Sequence, residues 1–285
     1  MDDVTVSAVR GYTWADMRPY AVSLSRSGFV GRKVLFAENI PDEMRKNLLL
    51  LGFEIYDYAT PPRLSKPCPA RLRRFNPPEL PEYLYWANEQ LSPMINFLRS
   101  NLDIGNVIKT DWRDVIFQTN PSTWLNDNLG DKKIVVQGLG HPSMGCRYNE
   151  GFIYGAAKDD EEFINTRCQE TVTFGTFAGR HDDMLDLMTE IYLTALHNAW
   201  AVEQGTLNLL VRGKYKDRVK VASTKDIFST QTFPGAKALY FADYVPPVFD
   251  EVAREVRTPD GELFSIVHNY DRDKKWLAIM QEKYA

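Results

Sequence analysis

Cysteine is scarce in this 285-residue chain: three residues, Cys68, Cys146 and Cys168. An odd, widely spaced set excludes a disulfide scaffold and a zinc knuckle, and it suits a reducing compartment. No apolar run approaches the length of a membrane span. The opening Met1-Asp2-Asp3 is acidic and leads straight into a strand pattern. It lacks the basic and apolar regions of a signal peptide, so the expected location is cytoplasmic. Neither sign of charge dominates: 34 Lys and Arg stand against 38 Asp and Glu, a net of −4. A surface of this kind is a poor polyanion binder, and nucleic acid is not expected as a partner. There are no internal repeats and no low-complexity tract.

What is present is ordinary globular material, 44% hydrophobic and 25% charged, enough for one sizeable α/β core. Val4 to Val9 alternates apolar and small polar residues before Arg10-Gly11, which reads as a strand meeting a turn. Asp16 to Ser27 reads as a helix stopped by Gly28, Lys33 to Ala37 as a buried strand, Pro41 to Leu51 as a helix stopped by Gly52, and Phe53 to Tyr56 as a strand. This β-α-β-α-β order predicts a parallel sheet of nucleotide-binding type. Tyr58 to Pro81 is Pro-rich and basic and reads as a long loop or short helices over the sheet. Leu84 to Leu98 reads as one helix, Asn106 to Lys109 as a strand, and Ile134 to Gln137 as another strand followed by irregular chain to Tyr154. Thr171 to Phe174 is strand-like. Gly179 precedes a long helix with a stripe of Met184, Leu187, Met188, Ile191, Ala195 and Ala199. A helix over Gln204 to Leu210, a strand from Leu263 to His268 and a helix from Asp273 to Lys283 complete the pattern.

Four segments carry chemistry. Asp111-Trp112-Arg113-Asp114 puts two carboxylates at a strand end, where ligands bind in open α/β sheets. Hard oxygen donors there suit Mg²⁺ or Mn²⁺. Acidic pairs at such places also cap helices or pair with a basic neighbour, and Arg113 is at hand. Phe174-Gly175-Thr176-Phe177-Ala178-Gly179 has the glycines of a close backbone approach, or of a plain strand-to-helix turn. Glu203-Gln204 sets an acid beside an amide at a helix start, suited to sugar hydroxyls or to the helix dipole. His268 ends the last strand, and a neutral imidazole there is a good ligand for a divalent ion. A lone histidine is more often a satisfied core or surface residue, and His141, His181 and His197 are read that way.

In this order the four segments resemble the GT-A glycosyltransferases, above all the retaining glycosyltransferase family 8 type. That pattern runs from an acidic motif before apolar residues, through an Asn-Ser-Gly turn and Asp-Gln-Asp-x-Leu-Asn, to a C-terminal His-x-x-Gly-x-x-Lys. The matches are Asp114-Val115-Ile116-Phe117, Phe174-Gly175-Thr176, Glu203-Gln204-Gly205-Thr206-Leu207-Asn208, and His268 with Lys274. Ser23 to Phe36 also looks like the opening of such enzymes. The departures are an acidic motif with two residues between its carboxylates where one is usual, Glu203 for Asp, and Asp271 for Gly.

The resemblance implies an α/β chain with a mixed, mostly parallel GT-A sheet flanked by helices. It would be one domain over 1–285, with a nucleotide-binding half to about 118 and a donor-sugar and acceptor half from about 119. It implies transfer of a sugar from a nucleotide-diphosphate sugar, a UDP-sugar by preference, to a glycan or small hydroxyl acceptor, with Mn²⁺ or Mg²⁺ on Asp111, Asp114 and His268. Val9, Arg10, Gly11 and Trp112 would meet the nucleotide, Arg73 or Arg74 and Lys274 the diphosphate, and Gly175, Thr176, Glu203 and Gln204 the donor sugar. The acceptor would enter over Gly138 to Tyr154. A nucleotidyltransferase shares such a sheet, although Arg10-Gly11-Tyr12 is a poor version of its Gly-rich basic loop. A catalytically silent sugar- or nucleotide-binding protein is the other alternative. Asp114 and His268 lie more than a hundred residues apart, and nothing local in the sequence joins them.

Overall fold

β1 (Asp2–Arg10) is buried along most of its length, on both faces. A strand enclosed in this way belongs in the middle of a sheet. It pairs in parallel with β2 (Arg32–Glu38) on one side and with β4 (Ile104–Thr110) on the other. The computed structural model describes residues 1–61, 82–197, 202–232 and 246–285. Within them a seven-stranded sheet has the order β3-β2-β1-β4-β7-β6-β8, with β3 Phe53–Asp57, β6 Ile134–Pro142, β7 Glu170–Arg180 and β8 Val219–Ala222. β7 alone runs antiparallel to its neighbours, β4 and β6. The sheet is therefore mixed and mostly parallel, as expected.

Helices cover both faces. On one side α4 (Leu91–Ser100), α8 (His181–His197) and α9 (Glu203–Arg212) pack Leu91, Leu98, Met184, Leu187, Met188, Ile191 and Leu207 against Val4, Val6, Val107 and Val136. On the other side α1 (Trp14–Arg26), α2 (Asp42–Leu50) and α5 (Pro121–Asn128) cover Val9, Leu35, Ile108 and Val135 with Met17, Leu24, Met44, Leu48 and Trp124. Thr13 and Asp16 form a capping box that starts α1, and Gly28, at φ +82, lets the chain turn back into β2. From β1 the chain first winds outward to β2 and β3, then returns to the far side of β1 as β4. The switch point between the carboxyl ends of β1 and β4 is where an open α/β sheet forms its crevice, and Arg10 and Asp111 end or follow those strands.

A second sheet builds the other wall. β5 (Val115–Phe117) pairs antiparallel with β12 (Ile266–His268), which pairs in parallel with β9 (Ser229–Gln231). It packs on α10 (Lys274–Lys283) through Ile116, Val267, Tyr270, Trp276 and Met280. β10 (Val248–Asp250) and β11 (Glu255–Arg257) form a hairpin beside it. Among the described residues no helix is long and apolar enough to cross a membrane.

Several sequence expectations need correction. The helix expected over Leu84–Leu98 is two, α3 (Glu82–Glu89) and α4, parted at Gln90. Pro93 has no N–H for the Glu89 carbonyl and crowds it, which ends the first helix. The stretch expected to be irregular from Gly138 to Tyr154 continues β6 as far as Pro142 and then forms α6 (Arg147–Ala156). β7 does not stop at Phe174. It runs through Gly175 and Gly179 to Arg180, so neither glycine makes a turn. The short β8, β9, β10 and β11, together with α5 and α7 (Asp160–Arg167), had no counterpart in the reading of the sequence. Ala199, Arg73 and Arg74 lie outside the described residues, as does most of the basic Pro-rich stretch.

Candidate active site

A cavity of about 590 Å³ opens at the switch point. Among the described residues its lining joins β1 and its following turn (Arg10, Tyr12), the acidic segment Asp111 to Asp114, the α3 end (Trp86, Ala87, Gln90), β7 (Thr173, Phe174, Gly175) and the start of α9 (Glu203, Gln204). Its size suits a ligand larger than a simple ion.

Asp111 and Asp114 of this lining meet one imidazole, that of the buried His268. Asp111 follows β4, where its N–H donates to the Gly175 carbonyl at 2.7 Å. Asp114 precedes β5, and the β5–β12 register sets Val115 opposite His268. Backbone pairing therefore joins the two distant sequence motifs, a link that the sequence alone did not reveal. His268 Nε2 stands 3.6 Å from Asp111 Oδ2 and 3.8 Å from Asp114 Oδ2. Both distances exceed hydrogen-bond reach. One donor atom from each of the three residues lies within 4.8 Å of the others. Hard carboxylate oxygens and a neutral imidazole nitrogen, held near each other without direct bonds, fit a shared Mg²⁺ or Mn²⁺.

The electrostatics match a crowded polar centre. Burial raises the Asp111 carboxyl, but Lys109 and His268 outweigh it and hold the group well below the usual carboxylate range. Burial pushes the Asp114 carboxyl up, with Asp111 and Asp271 adding to it against the pull of His268. Burial opposes protonation of His268, yet Asp114 and Asp111 together raise its pKa above that of a free imidazole.

Gly175 explains how the imidazole fits. A Cβ on Gly175 would lie 2.0 Å from His268 Cε1 and 2.6 Å from Nε2. The glycine is thus a strand residue on which the ring rests, and the family-like Gly is explained by this approach and not by a turn. Thr176, the next residue, is fully buried, and its hydroxyl does not reach the cavity lining.

The Glu203-Gln204 segment is pinned to β7. β4 ends at Thr110, opposite Thr176, so the backbone of β7 before that point lacks a strand on this side. Gln204 fills the gap. Its Oε1 accepts from Phe174 N at 2.7 Å, and its Nε2 donates to Val172 O at 3.0 Å. One helical turn on, Asn208 accepts from Val172 N and donates to Val172 O, both at 2.9 Å. Gly205 lets α9 lie on α6, because a Cβ there would be 2.1 Å from Phe152 O. Glu203 is buried, its N–H donates to Asn88 Oδ1 at 2.9 Å, and its Oε2 is buried without a hydrogen-bond partner. Burial pushes its carboxyl up to about 7.

The remaining expected residues scatter. Arg10 lines the cavity and stands 3.5 Å from Glu38. Trp112 lines it too, edge-on to Tyr12 with ring centroids 4.2 Å apart. The Val9 side chain is turned into the core, and Gly11 is exposed beside the mouth with φ +68. Lys274 is exposed in the first turn of α10, away from the lining. Arg113 acts on Asp114 only through its charge, without bonding it. It bonds Asp271 at 2.8 Å. His181 is a satisfied core residue, with Nε2 3.0 Å from Leu98 O, and His141 is buried beside Pro142 O. Lys109, Tyr12 and Arg113 escaped the sequence reading as site residues. The signal for Lys109 was a lysine inside the apolar run Val107-Ile108, two residues ahead of an acid.

No family model matches the chain, and no curated protein does. Solved structures match throughout. The galactosyltransferase LgtC, in complex with donor and acceptor sugar analogs, aligns with a TM-score of 0.56 at 12% identity, over 98% of this chain and 95% of its own. A second LgtC structure carries an active-site glutamine-to-glutamate change. The glycosyltransferase GlyE of Streptococcus pneumoniae aligns at 0.51 and 13% identity, over all of this chain and 60% of its own. Mouse xyloside xylosyltransferase 1 in its apo form aligns at 0.50 and 11%, over 94% and 97%. The chain has the GT-A glycosyltransferase fold. At such identities the likeness carries the architecture, and the chemistry has to come from the residues.

Proposed function

We propose that this protein is a glycosyltransferase that moves a sugar from a UDP-sugar to a hydroxyl of a glycan or small acceptor, with retention of anomeric configuration. The observation that carries the reading is that Asp111 and Asp114, which cluster with His268, line the same cavity as Glu203 and Gln204. Asp111, Asp114 and His268 would hold Mn²⁺ or Mg²⁺, which when bound offsets charge on the departing diphosphate. Arg10, Tyr12 and Trp112 would receive the base and ribose at the mouth, where two aromatic faces and a cation suit a nucleotide. Arg73 or Arg74 and Lys274 remain proposed diphosphate contacts. The donor sugar would lie against Gly175, Glu203 and Gln204. LgtC has an active-site glutamine, and Gln204 is the glutamine in the corresponding kind of wall here. The acceptor would approach over β6 and α6.

In this proposal one domain serves both substrates, with the nucleotide on residues up to about 118 and the sugars on the rest, in a cytoplasmic setting. An inverting enzyme needs a base beside the acceptor hydroxyl. Gln204 cannot serve as one, and Glu203 is buried at the donor side, which favours retention. Calorimetric titration of UDP with and without Mn²⁺ tests the site. Asp114→Ala, which removes a ligand and a charge, should abolish the Mn²⁺-dependent part of UDP binding, and His268→Ala should weaken it. UDP binding that ignores both Mn²⁺ and Asp114→Ala rejects the proposal. Proton NMR of the first-formed product decides the stereochemistry, and an inverted anomer would make Glu203 the candidate base.

A further inference from the structure

Lys109 projects from β4 into the face of the sheet covered by α9, and its side chain is completely buried. An ammonium taken out of water is costly unless it is fully paired. Here the partners are supplied. Nζ donates to Asp111 Oδ1 at 2.9 Å and to the Phe174 carbonyl at 3.0 Å, and it lies 3.9 Å from the Phe174 ring centroid. Nothing in the packing of the strand requires a charge at this position, since Val107 on the same face is apolar and equally buried. The charged group bonded to it is Asp111, and the buried Glu203 carboxyl also feels it.

We propose that Lys109 is a fixed counter-cation of the metal centre, and that it makes the site take up a divalent ion together with a nucleoside diphosphate in preference to the free ion. This inference rests on the metal reading above. Two carboxylates with a neutral imidazole present two negative charges, enough to balance a divalent ion by themselves. A diphosphate would then face a neutral site. With Lys109 bound to Asp111, the set presents one. The Lys109 bond occupies Oδ1, and Oδ2 is the oxygen that faces His268. A divalent ion in this setting keeps an excess of positive charge toward the cavity, and the diphosphate supplies the missing negative charge. Arg113 and Asp271 are ion-paired and act on Asp114 in opposite directions, so that together they add little net charge to the set. Ion and nucleotide must then strengthen each other's binding, and by the same factor in both directions.

The test is calorimetric titration of Mn²⁺ into the wild-type protein, alone and with saturating UDP, repeated on Lys109→Gln and Lys109→Met. Glutamine keeps a donor for the Phe174 carbonyl, and methionine keeps the length of the side chain. Circular dichroism verifies that each folds. In the wild type, UDP should tighten Mn²⁺ binding by about tenfold or more. A folded variant should bind free Mn²⁺ about tenfold more tightly than the wild type, and the enhancement by UDP should shrink. Wild-type affinity and enhancement in a folded variant overturn the role of Lys109. So does a wild type that binds Mn²⁺ equally with and without UDP, a measurement that needs no variant. Absence of Mn²⁺ binding under every condition overturns the metal reading itself, and is thereby distinguishable from failure of the Lys109 role alone.

Discussion

Arg113 Nη2 sits 2.8 Å from the Asp271 carboxylate, and these residues mark two of the three places where the chain leaves the family-like pattern. Arg113 lies in the lengthened gap between the acidic residues, and Asp271 stands where that pattern has glycine. Tyr270 strengthens the link by donating its hydroxyl to the Arg113 carbonyl at 3.1 Å. Each departure answers the other: the extra residue brings a cation, and the replaced glycine brings its partner. A double-mutant cycle with Arg113→Ala and Asp271→Ala in denaturant unfolding should give a coupling of about 1 kcal/mol, the upper range for a pair with one partner partly exposed. A coupling near zero would mean that the two departures are unrelated.

Gly175 makes room for His268. Gly175→Ala should leave the main sheet folded while displacing the imidazole, and Mn²⁺ binding in the presence of UDP should weaken about tenfold, comparable to the loss of one ligand's proper placement. Near-wild-type Mn²⁺ binding in the alanine variant would show that the ring has freedom to move aside.

Gln204 and Asn208 hold the same edge of β7, but only Gln204 lines the cavity. Both alanine variants should lose stability by about 1–3 kcal/mol, because buried backbone groups lose their partners. Only Gln204→Ala should also lower kcat, with KM for the donor little changed, the pattern of an interaction made mainly in the transition state. Equal turnover in the two variants would confine Gln204 to anchoring.

The raised carboxyl of Glu203 sets a pH dependence with a definite sign. In the unfolded chain this carboxyl loses its proton near its ordinary 4.5, whereas in the fold burial delays the loss until about 7. Between those values the folded state holds the extra proton, so stability falls as pH rises through the window and stays lower above it. Glu203→Gln removes that loss. Denaturant unfolding should find the variant close to wild type at pH 4.5 and more stable at pH 8, by on the order of 2–3 kcal/mol. A stability difference that does not change with pH would show that Glu203 titrates alike in both states.

The outer frame of the fold was legible because its signals are local. Strands enclosed on both faces, such as β1 and β2, read as apolar runs, and Gly28 and Gly52 mark helix ends through their own backbone conformation. β7 misled for the opposite reason. Its glycines serve remote neighbours: Gly175 meets His268, and Gly179 would place a Cβ 2.3 Å from the Lys133 carbonyl. The acidic segment, His268 and Glu203-Gln204 were visible as motifs because their order resembles a family. Lys109 was not, since its meaning depends on the Phe174 carbonyl 65 residues away. The three-residue strands β9 to β11 are too short to show any period.

The pairing of Val115 with His268 also dictates when the centre can exist during synthesis. The two residues are separated by more than half the length of the chain. β1 to β4 and their helices are all made by Thr110, whereas the imidazole comes only with β12, after the whole of β5 to β11. Until then Asp111 and Asp114 stand beside Lys109 without their third companion. A nascent chain halted before Ile266 would carry the crevice without its imidazole, so any ion-dependent binding should switch on abruptly once β12 is made, and not grow steadily with chain length.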